Sequence, residues 1–286
     1  MHELHGFLGL PEELARKDSA RVIVVPVPFE ASTSYGKGAS FGPSAIIEAS
    51  WQVEFWDEKS RREPCSMGIF TDQSIGLNQN WGVVSGLLEN KVQEIISDKK
   101  FPLFLGGEHS ISAPIVKGIL KKYPDLSVLH FDAHADLRYS YEDKLWSHAS
   151  VMRRVFEMGV PFCSVAVRSL SQEEHDLIDQ HKLNVFFAYK LRQNPDWMRE
   201  VISCLTDHVY LTFDIDAVDI SEVRSTGTPE PGGLYWYEVI EFLEKMANSG
   251  KKVIGADLVE LAPSENDHAS SFYAAKLAYK IISYLA

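Results

Sequence analysis

Short apolar runs alternate along this chain with longer stretches whose apolar residues recur every three or four positions. "RVIVVPVP" (21–28), "FPLFLGG" (101–107), "LSVLHFD" (126–132), "FCSVAVR" (162–168), "NVFFA" (184–188), "HVYLTFDI" (208–215) and "KVIGADLVEL" (252–261) read as strands. Helical periods are predicted over 44–56, 81–100, 110–123 and 151–159, and near 195–206, 235–249 and 270–285. Gly159 is placed to stop its helix. Ser171 opens another, with Glu174 three residues on to complete a capping box. Strands this uniformly apolar are buried on both faces, so the alternation predicts an α/β fold built on a parallel sheet. No repeat, low-complexity tract or Ser/Gly linker divides the chain, and residues 1–286 are expected to form a single domain.

In such sheets ligands sit beyond the carboxyl ends of the strands, and four of these ends carry unusual residues. After "FLGG" come Glu108 and His109, where Gly106 and Gly107 are expected to take backbone angles other residues avoid and to turn His109 over the sheet. "LHFDAHADLR" places Asp132, His134 and Asp136 at every second position, which on a strand points all three the same way. His130 shares that parity but lies deeper, as a core histidine or one that orients its neighbours. "FDIDAVD" repeats the alternation with Asp214 and Asp216, whereas Asp219 is out of phase and reads as a turn aspartate. "DLVELAP" closes the last strand with Asp257 and Glu260.

Buried carboxylates without a counter-charge stay protonated. Asp132, Asp136, Asp214 and Asp216 carry four negative charges, and His109 and His134 are neutral donors. Two divalent cations balance that set. Oxygen and imidazole donors without thiolate suit Mn2+, with Mg2+, Co2+, Fe2+ or Zn2+ as substitutes. Six ligands are few for two near-octahedral ions, so some are expected to bridge and water to complete the shells. Such a pair acidifies a bound water toward a pKa of about 7.

Composition narrows the partners. The 286 residues are 45% hydrophobic and 24% charged, with a net charge of −12 and no basic cluster beyond short surface runs, which argues against nucleic acid and permits a cationic ligand. No apolar run approaches the roughly 20 residues of a membrane span. "MHELHGFLGLPEELARKD" lacks the layout of a signal peptide, so a cytoplasmic protein is the default expectation. Cys65, Cys163 and Cys204 form no CxxC pair and no disulfide framework.

"GGEHS", "DAHAD" and "FDIDAVD", in this order, resemble the ureohydrolase family of arginases and agmatinases. "FGPSAIIEAS", "SHASVMRR", "STGTPEPGGL" and "DLVELAP" match as well, so the resemblance runs from about residue 21 to the C-terminus. It implies a three-layer αβα fold with a central, mostly eight-stranded parallel sheet. It also implies two Mn2+ per subunit on His109, Asp132, His134, Asp136, Asp214 and Asp216, and assembly as a homotrimer or homohexamer. Hydroxide held between the ions would attack a guanidinium carbon, with Asp136 passing its proton to the leaving nitrogen. Glu260 would pair with the guanidinium, His148 would shuttle protons, and Thr228 would bond ligands near the metals. A helix-start role for His148 and a plain turn role for Thr228 are the competing readings.

Two departures bear on substrate. Arginases carry an asparagine at the position of Arg138 to hold the amino-acid carboxylate, and an acidic residue near Ser171 to meet the α-ammonium. Agmatine has neither group and loses nothing, so the resemblance is most agmatinase-like, with agmatine hydrolysed to putrescine and urea for polyamine synthesis. Arginine, guanidinobutyrate, aminopropylagmatine and formiminoglutamate are alternatives within the same chemistry. The loop from Arg138 to Trp146, "RYSYEDKLW", is expected to line the substrate mouth with its aromatics and acids. A silent polyamine-binding regulator would have lost ligands or His148, and all are present.

Overall fold

A computed structural model describes residues 6–77 and 80–286. Residues 1–5 of the stretch read above for a signal peptide lie outside the described residues. The strands are β1 (Val22–Val27), β2 (Ile69–Thr71), β3 (Phe101–Gly106), β4 (Leu126–Phe131), β5 (Phe162–Val167), β6 (Asn184–Phe187), β7 (His208–Asp214) and β8 (Lys252–Val259). They form one sheet in the order β2-β1-β3-β8-β7-β4-β5-β6, with every pairing parallel.

Within each strand successive side chains go to opposite faces. Val22 and Val24 of β1 join one core with Leu103, Leu129, Leu211 and Leu258, while Ile23, Val25 and Val27 join the other with Phe104, Val128 and Tyr210. The first core is covered by α1 (Gly42–Ser50), α7 (Trp197–Ser203), α8 (Trp236–Ala247) and α9 (His268–Leu285). The second is covered by α2 (Trp81–Ser97), α3 (Ser112–Leu120), α4 (Val151–Glu157) and α5 (Gln172–His181). The one-turn α6 (Ala188–Leu191) follows β6 directly. This is the three-layer, eight-stranded architecture that the resemblance implies.

Local differences from the sequence expectations have physical reasons. β2 was not anticipated: three residues paired to β1 through Val22↔Ile69 are too few to show alternation. α1 starts at Gly42, before the expected Ser44, because Pro43 is pre-set for a first helical turn, and it ends at Ser50 instead of near Trp56. Gly159 does end the segment after α4, at φ +74°, and the Ser171–Glu174 capping box is formed. Cys65, Cys163 and Cys204 are free thiols. Among the described residues no helix is long and apolar enough to cross a membrane.

β3, β8, β7 and β4 are consecutive neighbours in the sheet. Their carboxyl ends therefore bring His109, Glu260, Asp214 and Asp132 to one place, although these residues are far apart in the chain.

Candidate functional site

The segment after β3 is shaped by close approach. Neither Gly106 nor Gly107 takes a left-handed backbone angle, contrary to the expectation for this turn. A Cβ on Gly107 would instead lie 2.2 Å from the carbonyl oxygen of Phe29, and one on Gly106 would lie 2.4 Å from Ile111. The glycines let the chain pass against its neighbours and begin the single 3-10 turn His109–Ile111.

The alternation in "DAHAD" is not that of a strand. β4 ends at Phe131 and the next five residues are irregular apart from an isolated parallel bridge between His134 and Ser169, with Asp136 at φ +53°. Likewise β7 ends at Asp214, and Asp216 lies in the 3-10 turn Ile215–Ala217. Shared orientation arises from tethering instead. Asp132 N–H donates to Val165 O (3.1 Å), and Ala133 O accepts from the N–H groups of Arg168 and Ser169 (2.8 and 2.9 Å). Ala133 N–H donates to Asp216 Oδ1 (2.9 Å), and Leu137 N–H donates to Glu174 Oε1 (2.9 Å). β5 carries a register irregularity between Val165 and Val167, with Ala166 at φ +75°, beside the segment it tethers.

All six expected ligands converge. His109 Nδ1 lies 3.1 Å from Asp132 Oδ2, 3.3 Å from Asp136 Oδ2 and 3.4 Å from Asp214 Oδ2. His134 Nδ1 lies 3.0 Å from Asp216 Oδ2 and 3.4 Å from Asp132 Oδ1. Asp132 is thus shared, one oxygen with each group. The clusters His109–His130–Asp132–Asp136 and Asp132–His134–Asp216 each have the spacing to hold a metal ion. His130 has both ring nitrogens engaged, Nε2 with Asp132 Oδ2 and Nδ1 with Ser164 Oγ (each 2.9 Å), so it orients Asp132.

The decisive atom is Nδ1 of His109. It is buried and has no hydrogen-bond partner among the described residues, although three carboxylate oxygens surround it. On the far side of the ring, Nε2 meets Thr212 Oγ1 at 2.8 Å, and Thr212 donates its own proton to Asp257 Oδ1 at 2.6 Å. The threonine oxygen must therefore accept from Nε2–H, which leaves the lone pair of the neutral ring on Nδ1. A lone pair and three carboxylates facing one another repel, and a cation is the species all four would bind. The donor set of oxygens and imidazole nitrogens fits a hard or borderline divalent ion.

The charge balance registers as displaced pKa values. Burial opposes protonation of His109, but Asp132, Asp136 and Asp214 outweigh it and hold the imidazolium well above the usual range. His134 is pushed up to about 12, its burial overcome by Asp216 and Asp132. Burial and the Asp132 charge raise Asp136, while burial with Asp216 and Asp132 raises Asp214 strongly. Burial also raises Asp132, but His109 and His130 overcome it and hold that carboxyl well down. Burial and then Glu108 lift Glu260 well above the carboxylate range.

A cleft of about 200 Å³ opens over these groups, lined by His109, His134, Asp136, Asp214, Asp216 and Glu260 at its floor. His148, Arg138 and Thr228 stand in its wall. Glu260, at φ +64°, is fixed by the His109 N–H donating to Oε1 at 2.6 Å. The hydroxyl of Thr228 has no hydrogen-bond partner among the described residues. From the 138–146 loop only Arg138 and Tyr141 line the cleft; its acids Glu142 and Asp143 do not, contrary to expectation. They sit at a tight turn, with φ +47° and +62°, between the mutually bonded Tyr141 and Lys144. Arg138 Nε lies 3.8 Å from Glu174 Oε2. Asp219 is the turn residue expected, accepting from the N–H groups of Ser221, Gly232 and Gly233.

Several residues have supporting roles that the sequence does not show. Asp257 is buried and accepts from Tyr210 and Thr212, making it the base of the His109 support. Ser32 contacts both His148 and Glu108. Arg168 donates to the carbonyls of Asp216, Glu230 and Pro231 and holds the loop behind Asp216.

Comparison with known proteins agrees with this geometry. The arginase family model matches residues 20–283. The chain belongs to the arginase family. This ureohydrolase is 38% identical over 300 residues to the N(1)-aminopropylagmatine ureohydrolase of Synechocystis sp., covering 99% of this chain and 97% of the relative. It is 35% identical over 283 residues to the agmatinase of Pyrococcus horikoshii, covering 98% of both. The crystal structure of agmatine ureohydrolase from Thermoplasma volcanium superposes with a TM-score of 0.89 at 28% identity, over 99% of this chain and 94% of that one.

Proposed function

We propose that this ureohydrolase, as one catalytic unit over residues 1–286, hydrolyses the guanidinium group of a small cationic substrate. The leading substrate is agmatine, which would give putrescine and urea. The observation that carries the reading is the unpartnered, buried Nδ1 of His109 among three carboxylates. His109, Asp132, Asp136 and Asp214 would hold one divalent ion and Asp132, His134 and Asp216 a second, with Mn2+ the expected metal. When bound, the ions supply a water acidic enough to attack at neutral pH.

The chain's own groups do the rest. Glu260 at the cleft floor binds the guanidinium in its ionised form. Burial disfavours that form and an arriving cation restores it, so substrate binding and ionisation are coupled. Charge-assisted contact with the planar guanidinium also fixes its orientation. Asp136 takes the proton released by the attacking water, and protonation of the leaving nitrogen lets the carbon–nitrogen bond break. His148 exchanges protons between the cleft and solvent. Thr228 offers a free hydroxyl near the reacting centre. Arg138, its charge offset by Glu174, forms the wall along the rest of the substrate.

The N(1)-aminopropylagmatine ureohydrolase relative favours a second reading, in which the substrate is aminopropylagmatine. The resemblance further supports a homotrimeric or homohexameric enzyme of the cytoplasm. Urea release from a panel of guanidines after Mn2+ loading, with elemental analysis, tests the whole. The expected result is two Mn2+ per subunit and fastest urea release from agmatine or aminopropylagmatine. Urea fastest from arginine or guanidinobutyrate would overturn the substrate, and no urea from any would overturn the reaction.

A further inference from the structure

We propose that Ser32, backed by Glu108, is a positioning residue that places the ring proton of His148 on Nδ1 and so presents an unprotonated Nε2 to the cleft. The inference rests on the reading of His148 as a proton carrier, but its geometric basis is separate. Glu108 is buried and its two oxygens accept four donors. Oε2 takes the N–H groups of Ala31 (2.5 Å) and Ser32 (2.6 Å), and Oε1 takes the hydroxyls of Ser32 (2.9 Å) and Ser110 (2.6 Å). A carboxylate so placed only accepts. The single proton of Ser32 Oγ is therefore committed to Glu108.

That commitment decides what Ser32 offers to His148. Its oxygen lies 3.0 Å from the His148 backbone N–H and 3.1 Å from Nδ1. With its proton spent, the oxygen can only accept at both. The backbone contact sets the position of the residue, and the ring contact requires Nδ1–H. In a neutral imidazole the other nitrogen then carries the lone pair. Nε2 has no hydrogen-bond partner among the described residues, and the ring lines the cleft with its plane nearly perpendicular to that of Tyr141, centroids 5.4 Å apart. A buried serine–glutamate pair thus gives this histidine a fixed tautomer and a fixed angle. The other tautomer would turn a lone pair on Nδ1 toward a lone pair on Oγ.

Nitrogen-15 NMR of the full-length protein loaded with diamagnetic zinc, in mildly alkaline buffer, reads the tautomer directly. The His148 signals are assigned by their loss in His148→Gln. Protonated Nδ1 and unprotonated Nε2 are expected; the reverse pattern overturns the proposal and needs no active enzyme. Kinetics gives the second arm, with manganese-loaded variants. Ser32→Ala is expected to lower kcat roughly ten-fold or more, with KM within about two-fold because Ser32 does not line the cleft. Ser32→Thr, which keeps the hydroxyl, is expected to restore most of kcat, and metal content and thermal midpoint screen both variants for folding. If Ser32→Ala keeps full kcat while His148→Ala loses it, the positioning role is wrong and the proton-carrier reading stands. If His148→Ala itself keeps full activity, the proton-carrier reading falls, and the tautomer measurement still decides the geometry.

Discussion

Thr212 illustrates how much of this site depends on side chains that never meet a metal. It lies inside β7, its hydroxyl donating to Asp257 and accepting from His109. Replacing it with valine preserves shape but removes both bonds, leaving Asp257 short of a donor and His109 free to choose its tautomer. Partners that orient a metal-binding histidine are commonly worth 10–100-fold in affinity. Thr212→Val is therefore expected to weaken manganese binding by roughly that factor, read by competition with a chelator, while the fold survives by circular dichroism. Unchanged affinity would mean that His109 is oriented by packing alone. The six candidate ligands were legible in the sequence because carboxylates and histidines crowd the ends of apolar strands. Thr212 and Ser32 carry no such signal, and Asp257 and Glu108 read only as further acids at strand ends, because the roles of all four lie in partners up to 116 residues away that only the folded sheet supplies.

The elements teach a related lesson about pattern. Alternation in "DAHAD" pointed to the right residues for the wrong reason, since the segment is an irregular loop. Its five residues converge because β5 and the 215–217 turn tie backbone groups of Asp132 and Ala133, and α5 ties Leu137 just beyond. Sequence periodicity cannot express such ties. The paired glycines after β3 show the same limit, because their requirement is space beside Phe29 and Ile111 and not a turn angle. A testable consequence follows for Gly107→Ala. Its Cβ would meet a backbone oxygen at 2.2 Å, far inside contact, so β3's exit or the Phe29 segment must move. Either movement displaces His109, two residues on. The variant is expected to lose most turnover and metal content, with stability falling by about 1–3 kcal/mol, measured by urea release, elemental analysis and denaturant titration. Wild-type metal content in this variant would show that the close approach is not what places His109.

At the scale of the molecule, the sheet order brings acidic strand ends together in a chain already carrying net charge −12. Asp132, Asp136, Asp214, Asp216 and Glu260 are all largely or fully buried in one small region. Folding must desolvate and gather these groups, and without cations the cost falls on protonating Asp136, Asp214 and Glu260 and on charging His109 and His134. Cations that bind the folded site and not the unfolded chain reverse this by mass action. Each contributes about 2.7 kcal/mol when free metal stands 100-fold above its dissociation constant. For a chain of this size two such ions correspond to a rise in thermal midpoint on the order of 10 °C. Exhaustive chelation is therefore expected to lower the midpoint by that order, and added manganese to restore it in a concentration-dependent way, read by differential scanning calorimetry. Calcium, which prefers more oxygen ligands and longer bonds, is expected to restore less. A midpoint indifferent to chelation, in protein shown by elemental analysis to have lost its metal, would mean that the acidic strand ends are balanced by protons and the surrounding fold, and that the convergence of four strands needs no cation to persist.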